Sequence, residues 1–258
     1  MPSQNELFQN RINRLLGGGG GVAFGVLTLI GWAAWARPAL FSTLATAPDV
    51  GARPSVITRY YVEHATSARL GALLGTLALL PMLCFVVSMF NRLRAAEGGT
   101  HPLASIALLG GLMVSVEHFL FCGFLFQAAL APKTVGPQVT TAWHWAYASG
   151  GAAFITYTTF LLAVGVVALR YHALGRRIGV SALLIAPLQL LYLPSSFDHL
   201  GIFDPLSGAL GVYVPFGSFL VWCIAAGLAL GRTDSSTVQP AVRTPRVDLS
   251  GVGASPST

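Results

Sequence analysis

The sequence predicts an all-α fold, a polytopic transmembrane helical bundle of about six spans. Only 9% of the residues are charged and 54% are apolar. A soluble domain carries about 25% charged residues, without which its surface does not stay in water. The apolar residues also come in long blocks rather than as one stripe per helix, the pattern expected where hydrocarbon solvates a helix all round. Each block holds roughly 17–28 residues, close to the ~20 that a helix rising 1.5 Å per residue needs to cross a bilayer. A β-barrel would show alternating segments of ~10 residues instead. Inside lipid the backbone must satisfy its own hydrogen bonds, which leaves the helix as the only form open to such blocks.

Residues 1–16 are polar, with Glu6, Arg11 and Arg14, and read as a short amphipathic helix on the membrane surface. Gly17 to Gly21 is a run of five glycines. It lacks the Lys-Ser or Lys-Thr that completes a phosphate-binding loop, so it reads as a flexible or closely packed entry to the first span. That span covers about 20–37 and is expected to be an uncleaved anchor. Its apolar core is longer than a signal-peptide core, and the small triplet Ala45-Thr46-Ala47 lies well past its end. A polar loop follows over 38–66, with a helix expected from Ser55 to His64. Spans two to six are expected over about 68–90, 103–130, 143–169, 178–194 and 208–230, the fifth and sixth interrupted by Pro187 and Pro215. The chain thus divides into an N-terminal segment (1–19), a six-helix domain (20–232) and a Ser-, Thr- and Pro-rich tail (233–258) with the composition of disorder.

Basic residues set the expected orientation. With the N-terminus inside, Arg11, Arg14, Arg92, Arg94, Arg170, Arg176, Arg177, Arg232, Arg243 and Arg246 face the cytoplasm, while Arg37, Arg53, Arg59, Arg69 and Lys133 face out. The asymmetry places both termini of this multi-pass chain in the cytoplasm. The net charge of +6 sits at span ends, where it meets anionic head groups. No nucleic-acid partner is expected, since compact basic folds and aromatic-interleaved strands are missing. Cys84, Cys122 and Cys223 lie inside apolar blocks without CxxC spacing and read as buried free thiols.

Ionisable residues within a span cost about 2.5–3.5 kcal/mol each on insertion scales and are functional candidates for that reason. Glu117 and His118 stand in the middle of the third span. Counting 1.5 Å per residue from the inner end of each span puts them at ~21 Å, Tyr157 at ~19 Å, and Gln189 and Tyr192 at ~16–21 Å. These five residues form a candidate ligand or proton site at one membrane depth, with Thr156, Thr158 and Thr159 adding hydroxyls nearby. The plainer alternative is that Glu117 is protonated, or pairs with His118, Arg69 or a tyrosine to hold helices together. Nearer the outer face, His64, His144 and His199 form a candidate set for a transition metal or haem iron, because imidazole suits zinc, copper, iron and nickel. Arg69, Tyr147 and Asp198 likewise fall at outer ends of spans or just beyond, with Glu63 beside them. No HxxH, HxxxH or HExxH spacing supports the set, and histidines at an interface are the simpler account. Trp143, Trp145 and Tyr147 read as an interfacial aromatic belt. Gly71 and Gly75, Gly110-Gly111 and Gly150-Gly151 read as close helix contacts.

Tyr60-Tyr61-Val62-Glu63-His64, then a Gly- and Leu-rich span, then Asn91-Arg92-Leu93-Arg94-Ala95-Ala96-Glu97-Gly98-Gly99 resembles a group of six-span membrane proteins abundant in actinobacteria. The resemblance covers about the first two-thirds of the chain. It implies the six-span fold and no particular activity, and Glu117-His118 is not part of its pattern.

No GxSxG, HExxH, Walker or Asp-rich lipid-transferase motif is present, so a non-catalytic component is expected. The leading expectation is binding, sensing or transport of a small ligand or ion through the Glu117–His118 site. The alternatives are a metal- or haem-binding subunit of a redox system, and a structural partner subunit of a membrane complex.

Overall fold

A computed structural model of the chain describes residues 4–36, 47–49, 51–98, 100–130, 136–196, 201–203 and 209–232. Eight α-helices occur among them: α1 (Gln4–Ala36), α2 (Pro54–Glu63), α3 (Ala65–Leu77), α4 (Leu79–Glu97), α5 (Pro102–Leu130), α6 (Gly136–Arg170), α7 (Arg176–Gln189) and α8 (Val214–Arg232). Among the described residues there is no strand. Six segments are long and apolar enough to cross a membrane: Arg14–Ala36, Ala65–Glu97, Pro102–Leu130, Pro137–Arg170, Arg176–Pro194 and Ala209–Arg232. Their outward faces carry large apolar side chains, with Leu80 71%, Leu184 66%, Val221 63% and Leu109 62% exposed. Water would not tolerate such faces on every span, and lipid does.

Each span packs against its neighbours in sequence, and the last closes on the first, with α8 lying along α1. The six spans therefore form a closed ring. Its interior is filled by aromatic and aliphatic side chains that include Phe24, Phe85, Phe160, Phe219 and Trp222. A second apolar cluster gathers at one end, where α2 folds over the ends of α1, α3, α5 and α6 through Trp35, Ile57, Tyr61, Ala128 and Trp143. We call this the α2 end.

Helix α1 runs unbroken from Gln4 through the glycine run to Ala36, so residues 4–16 are joined to the span as one helix, of which Arg14–Ala36 is the part long and apolar enough to cross a membrane. Glycine costs about 1 kcal/mol in a helix relative to alanine. Here the missing side chains let other helices come within backbone contact. A Cβ on Gly18 would lie 2.9 Å from Gly231 Cα, and one on Gly21 2.7 Å from the Cys223 carbonyl oxygen, both on α8. On Gly20 it would lie 2.6 Å from the Pro81 carbonyl oxygen on α4. Of the two expected roles for the run, close packing is the one observed. The glycine pair of span two behaves alike: a Cβ on Gly71 would meet Gly31 O at 2.6 Å, and one on Gly75 would meet Cys122 Sγ at 2.5 Å.

Prolines explain where the helices break. Pro81 has no N–H for the Leu77 carbonyl, and its ring crowds that group; span two accordingly divides at Ala78 into α3 and α4. Pro187 lies within the last turn of α7, which ends at Gln189 and continues as a 3₁₀ segment, Leu190–Ser196. Pro215 follows a π-helical turn, Ala209–Tyr213, that leads into α8.

The residues that carry the sequence resemblance sit at helix ends. The Tyr60 hydroxyl donates to the Trp35 carbonyl in the last turn of α1, and the Trp35 indole N–H donates to the Tyr61 hydroxyl at 3.2 Å. Burial raises both phenols above their ordinary pKa. Arg92 Nε donates to the Ala173 carbonyl at 3.0 Å, tying α4 to the turn before α7. The Glu97 carboxylate accepts from the backbone N–H groups of Leu103 and Ala104, at 3.1 and 2.8 Å. An anion at the start of α5 fills the unpaired donors there. Gly98 ends α4 at a φ of 64°, a left-handed conformation in which glycine is favoured.

Candidate functional site

Four of the five residues expected to share one depth line one cavity: Glu117, His118, Tyr157 and Tyr192. Glu117 lies near the middle of α5, roughly 20 Å from either helix end at 1.5 Å per residue. Its Oε2 accepts a hydrogen bond from the Thr156 hydroxyl on α6 at 2.5 Å. Thr156 also lies 2.7 Å from the Ala153 carbonyl; it has one hydroxyl proton, so it serves one acceptor at a time. Glu117 is 8% exposed, and the bond from Thr156 engages only one of its two oxygens.

His118 faces the other way around α5. Its Nε2 lies 3.1 Å from the Gly75 carbonyl oxygen. A carbonyl only accepts, so Nε2 carries the proton and donates, which leaves Nδ1 as the acceptor in the neutral ring. Cys122 Sγ lies 3.7 Å from the same nitrogen, and Phe24 packs edge-on against the imidazole with centroids 5.7 Å apart. Gly75 makes this junction possible, because a Cβ there would displace the Cys122 sulfur.

Most of the remaining wall is aromatic, with Gly150, Ala153 and Val212 between the rings. Trp32 and Trp35 come from α1, Phe121 from α5, Tyr147 and Phe154 from α6, and Phe216 from α8. Tyr192 stacks on Phe154 with centroids 4.1 Å apart, and Tyr157 stacks on Phe219 at 4.4 Å. Gly151 lets the Tyr192 ring approach α6, where a Cβ would lie 3.1 Å from it. The space open to the centres of water-sized molecules is about 60 Å³, several times the ~10–15 Å³ that one water needs. Both helix breaks adjoin it: Tyr192 belongs to the 3₁₀ segment and Val212 to the π-helical turn. Irregular backbone at membrane depth is tolerated where it lines a cavity.

No protein-family model, curated protein or solved structure matches the chain. The site must therefore be read from its own chemistry.

Gln189, the fifth expected residue, does not line the cavity. It is fully buried, and its amide donates to the Pro215 carbonyl at 3.0 Å and the Ser218 hydroxyl at 3.3 Å. It thus bridges the end of α7 to the start of α8. Arg69 does not pair with Glu117; its Nε donates to the Ala129 carbonyl at 3.1 Å, in the last turn of α5, where a cation is favoured. Thr158 binds the Phe154 and Ala186 carbonyls, and Thr159 binds only Ile155 in its own helix.

The histidine set is placed only in part. The His64 ring packs on Tyr60 with centroids 5.1 Å apart. His144 is exposed on α6, and His199 lies outside the described residues. Among the described residues no group of three or more His, Cys, Asp or Glu side chains is placed to hold a metal ion. The expected aromatic belt is corrected at two positions. Trp143 is fully buried against Trp35 and Tyr61, because α2 covers it, and Tyr147 turns into the cavity. Trp145, 58% exposed, is the member that faces outward.

The aromatic wall was missed in the sequence, although a signal for it exists. Tyr147, Phe154 and Tyr157 fall with Gly150 on a 3–4–3 spacing, and Phe121 lies four residues after Glu117, the repeat of one helical face.

Proposed function

We propose that this protein is a non-catalytic binding component of a bacterial cell membrane, sensing or transporting a small ligand through the cavity around Glu117 and His118. One observation carries the reading. A carboxyl and an imidazole, costly at this depth, meet in one aromatic cavity between helices that are broken beside it. Breaks of this kind mark substrate sites in transporters built from discontinuous helices. Both termini are assigned to the cytoplasm by the ten basic residues on that side against five on the other. The resemblance to actinobacterial six-span proteins is compatible with this reading, since its motif residues serve helix ends and leave the cavity free to differ.

The test compares the purified wild-type chain with Glu117→Gln and His118→Ala in a chemically mixed panel of cations, anions and neutral compounds. At least one class is expected to raise the wild-type melting temperature, with the response reduced in both variants. Variants that match the wild type in stability and in every response would remove Glu117 and His118 from any functional site.

A further inference from the structure

The wall chemistry narrows the ligand class. This inference rests on the cavity being a ligand site. The lining contains one carboxyl group, one imidazole and a set of aromatic rings, and neither lysine nor arginine. The imidazole N–H is committed to the Gly75 carbonyl, so it offers an incoming anion no donor, and Glu117 would repel one. An inorganic divalent cation needs several oxygen, nitrogen or sulfur ligands, and among the described residues no group of three or more His, Cys, Asp or Glu side chains is placed to hold one. A neutral apolar ligand would leave a carboxyl group, more than nine-tenths buried, without a partner at its second oxygen.

We propose that the cavity binds a monovalent organic cation with an apolar body, a hydrophobic amine or quaternary ammonium, paired with Glu117 and boxed by Trp32, Phe121, Tyr147 and Tyr157. Two features of the cavity converge on that class. Aromatic faces attract a cation through their ring quadrupole, most strongly when water is excluded. Glu117 keeps Oε1 for the ligand while Thr156 holds Oε2 and fixes the carboxyl plane. The imidazole, turned toward Gly75, adds no competing positive charge at the mouth of the pair.

The experiment uses the full chain purified in detergent and titrates benzyltrimethylammonium by calorimetry. Its uncharged isostere neopentylbenzene and the anion phenylacetate are titrated alongside. The cation is expected to bind at least tenfold more tightly than either control, and Glu117→Gln is expected to lose roughly tenfold or more of that affinity. Trp32→Leu removes one π face and keeps the carboxyl; it is expected to weaken the cation about three- to tenfold and leave the isostere unchanged. This second variant carries the test if Glu117→Gln does not fold. Equal binding of the isostere or of phenylacetate overturns the cation assignment while leaving a ligand-binding cavity in place. Full affinity in Glu117→Gln overturns it as well. So does failure of the cation to bind the wild type at all, and the mixed panel then decides separately whether the cavity is a ligand site.

Discussion

The two halves of α1 face opposite kinds of neighbour. From Gly17 to Gly21 the helix has no side chain, and α4 and α8 press against its backbone. From Trp32 to Trp35 it carries two indoles that meet rings of α5, α6 and α8 and wall a cavity. Helix α8 shows the same change along its length. Its Cys223–Gly231 half closes on the glycines, while its beginning, after the π-helical turn, contributes Phe216 to the cavity. Between the two regimes, Phe219 and Trp222 pack with Phe85 and Phe160. The bundle is thus sealed over one half of its depth and hollow toward the α2 end. Small residues exclude space where backbones meet, and broken helices with large rings create it.

Gly21→Leu gives the strongest test of the sealed half. Even its first carbon would fall 2.7 Å from the Cys223 carbonyl oxygen and 3.0 Å from Gly227 Cα. Those are backbone atoms, which do not move aside as a side chain does. The expected cost is about 3 kcal/mol or more, seen as loss of a monodisperse peak in detergent or a large drop in melting temperature. An unchanged melting temperature would mean that α1 and α8 are not in backbone contact.

The junction between the halves is tested by Gly75→Ala. The new methyl would press on Cys122 Sγ, 2.5 Å away, for an expected loss of about 1–3 kcal/mol. Combined with Cys122→Ala, which removes the sulfur, the loss is expected to shrink by about half or more. Two variants whose effects simply add would show that the sites do not touch.

The smallest effects are expected where space exists. A Cβ on Gly150, in the cavity wall, meets only the Phe121 ring, at 3.3 and 3.6 Å, and one on Gly19 meets nothing within 4 Å. Gly150→Ala is expected to change stability by less than about 1 kcal/mol, and Gly19→Ala to raise it by up to about 1 kcal/mol through better helix propensity. Unfolding midpoints of the two beside that of Gly21→Leu would rank the neighbourhoods of chemically identical residues. A large loss from Gly19→Ala would contradict the described orientation of α1.

The contrast also shows what the sequence makes legible. Span number and depth are readable because crossing a bilayer demands an unbroken apolar run and a fixed rise per residue. Glu117, His118, Tyr157 and Tyr192 were placed together on depth alone, and they share a cavity. Depth carries no information about the direction a side chain takes around its helix, and for that reason Gln189, at the same height, belongs instead to the α7–α8 contact. Trp143 was assigned to the surface because its burial depends on α2, a short helix whose docking is set by Tyr60 and Tyr61 from far along the chain. The glycine run was open to two readings because the physical fact that decides between them, what lies opposite, is not local. Pro81 was a local signal that went unread: its missing N–H marks the division of span two as plainly as Pro187 and Pro215 mark theirs.

The closed ring has a consequence for biogenesis. The glycine face of α1 precedes the other five spans along the chain, yet the helix that covers it is the last of the six to arrive. Until then its bare backbone meets only acyl chains or α4. Insertion and final assembly are therefore separate events, and a chain arrested before α8 should remain an open, loosely associated set of helices.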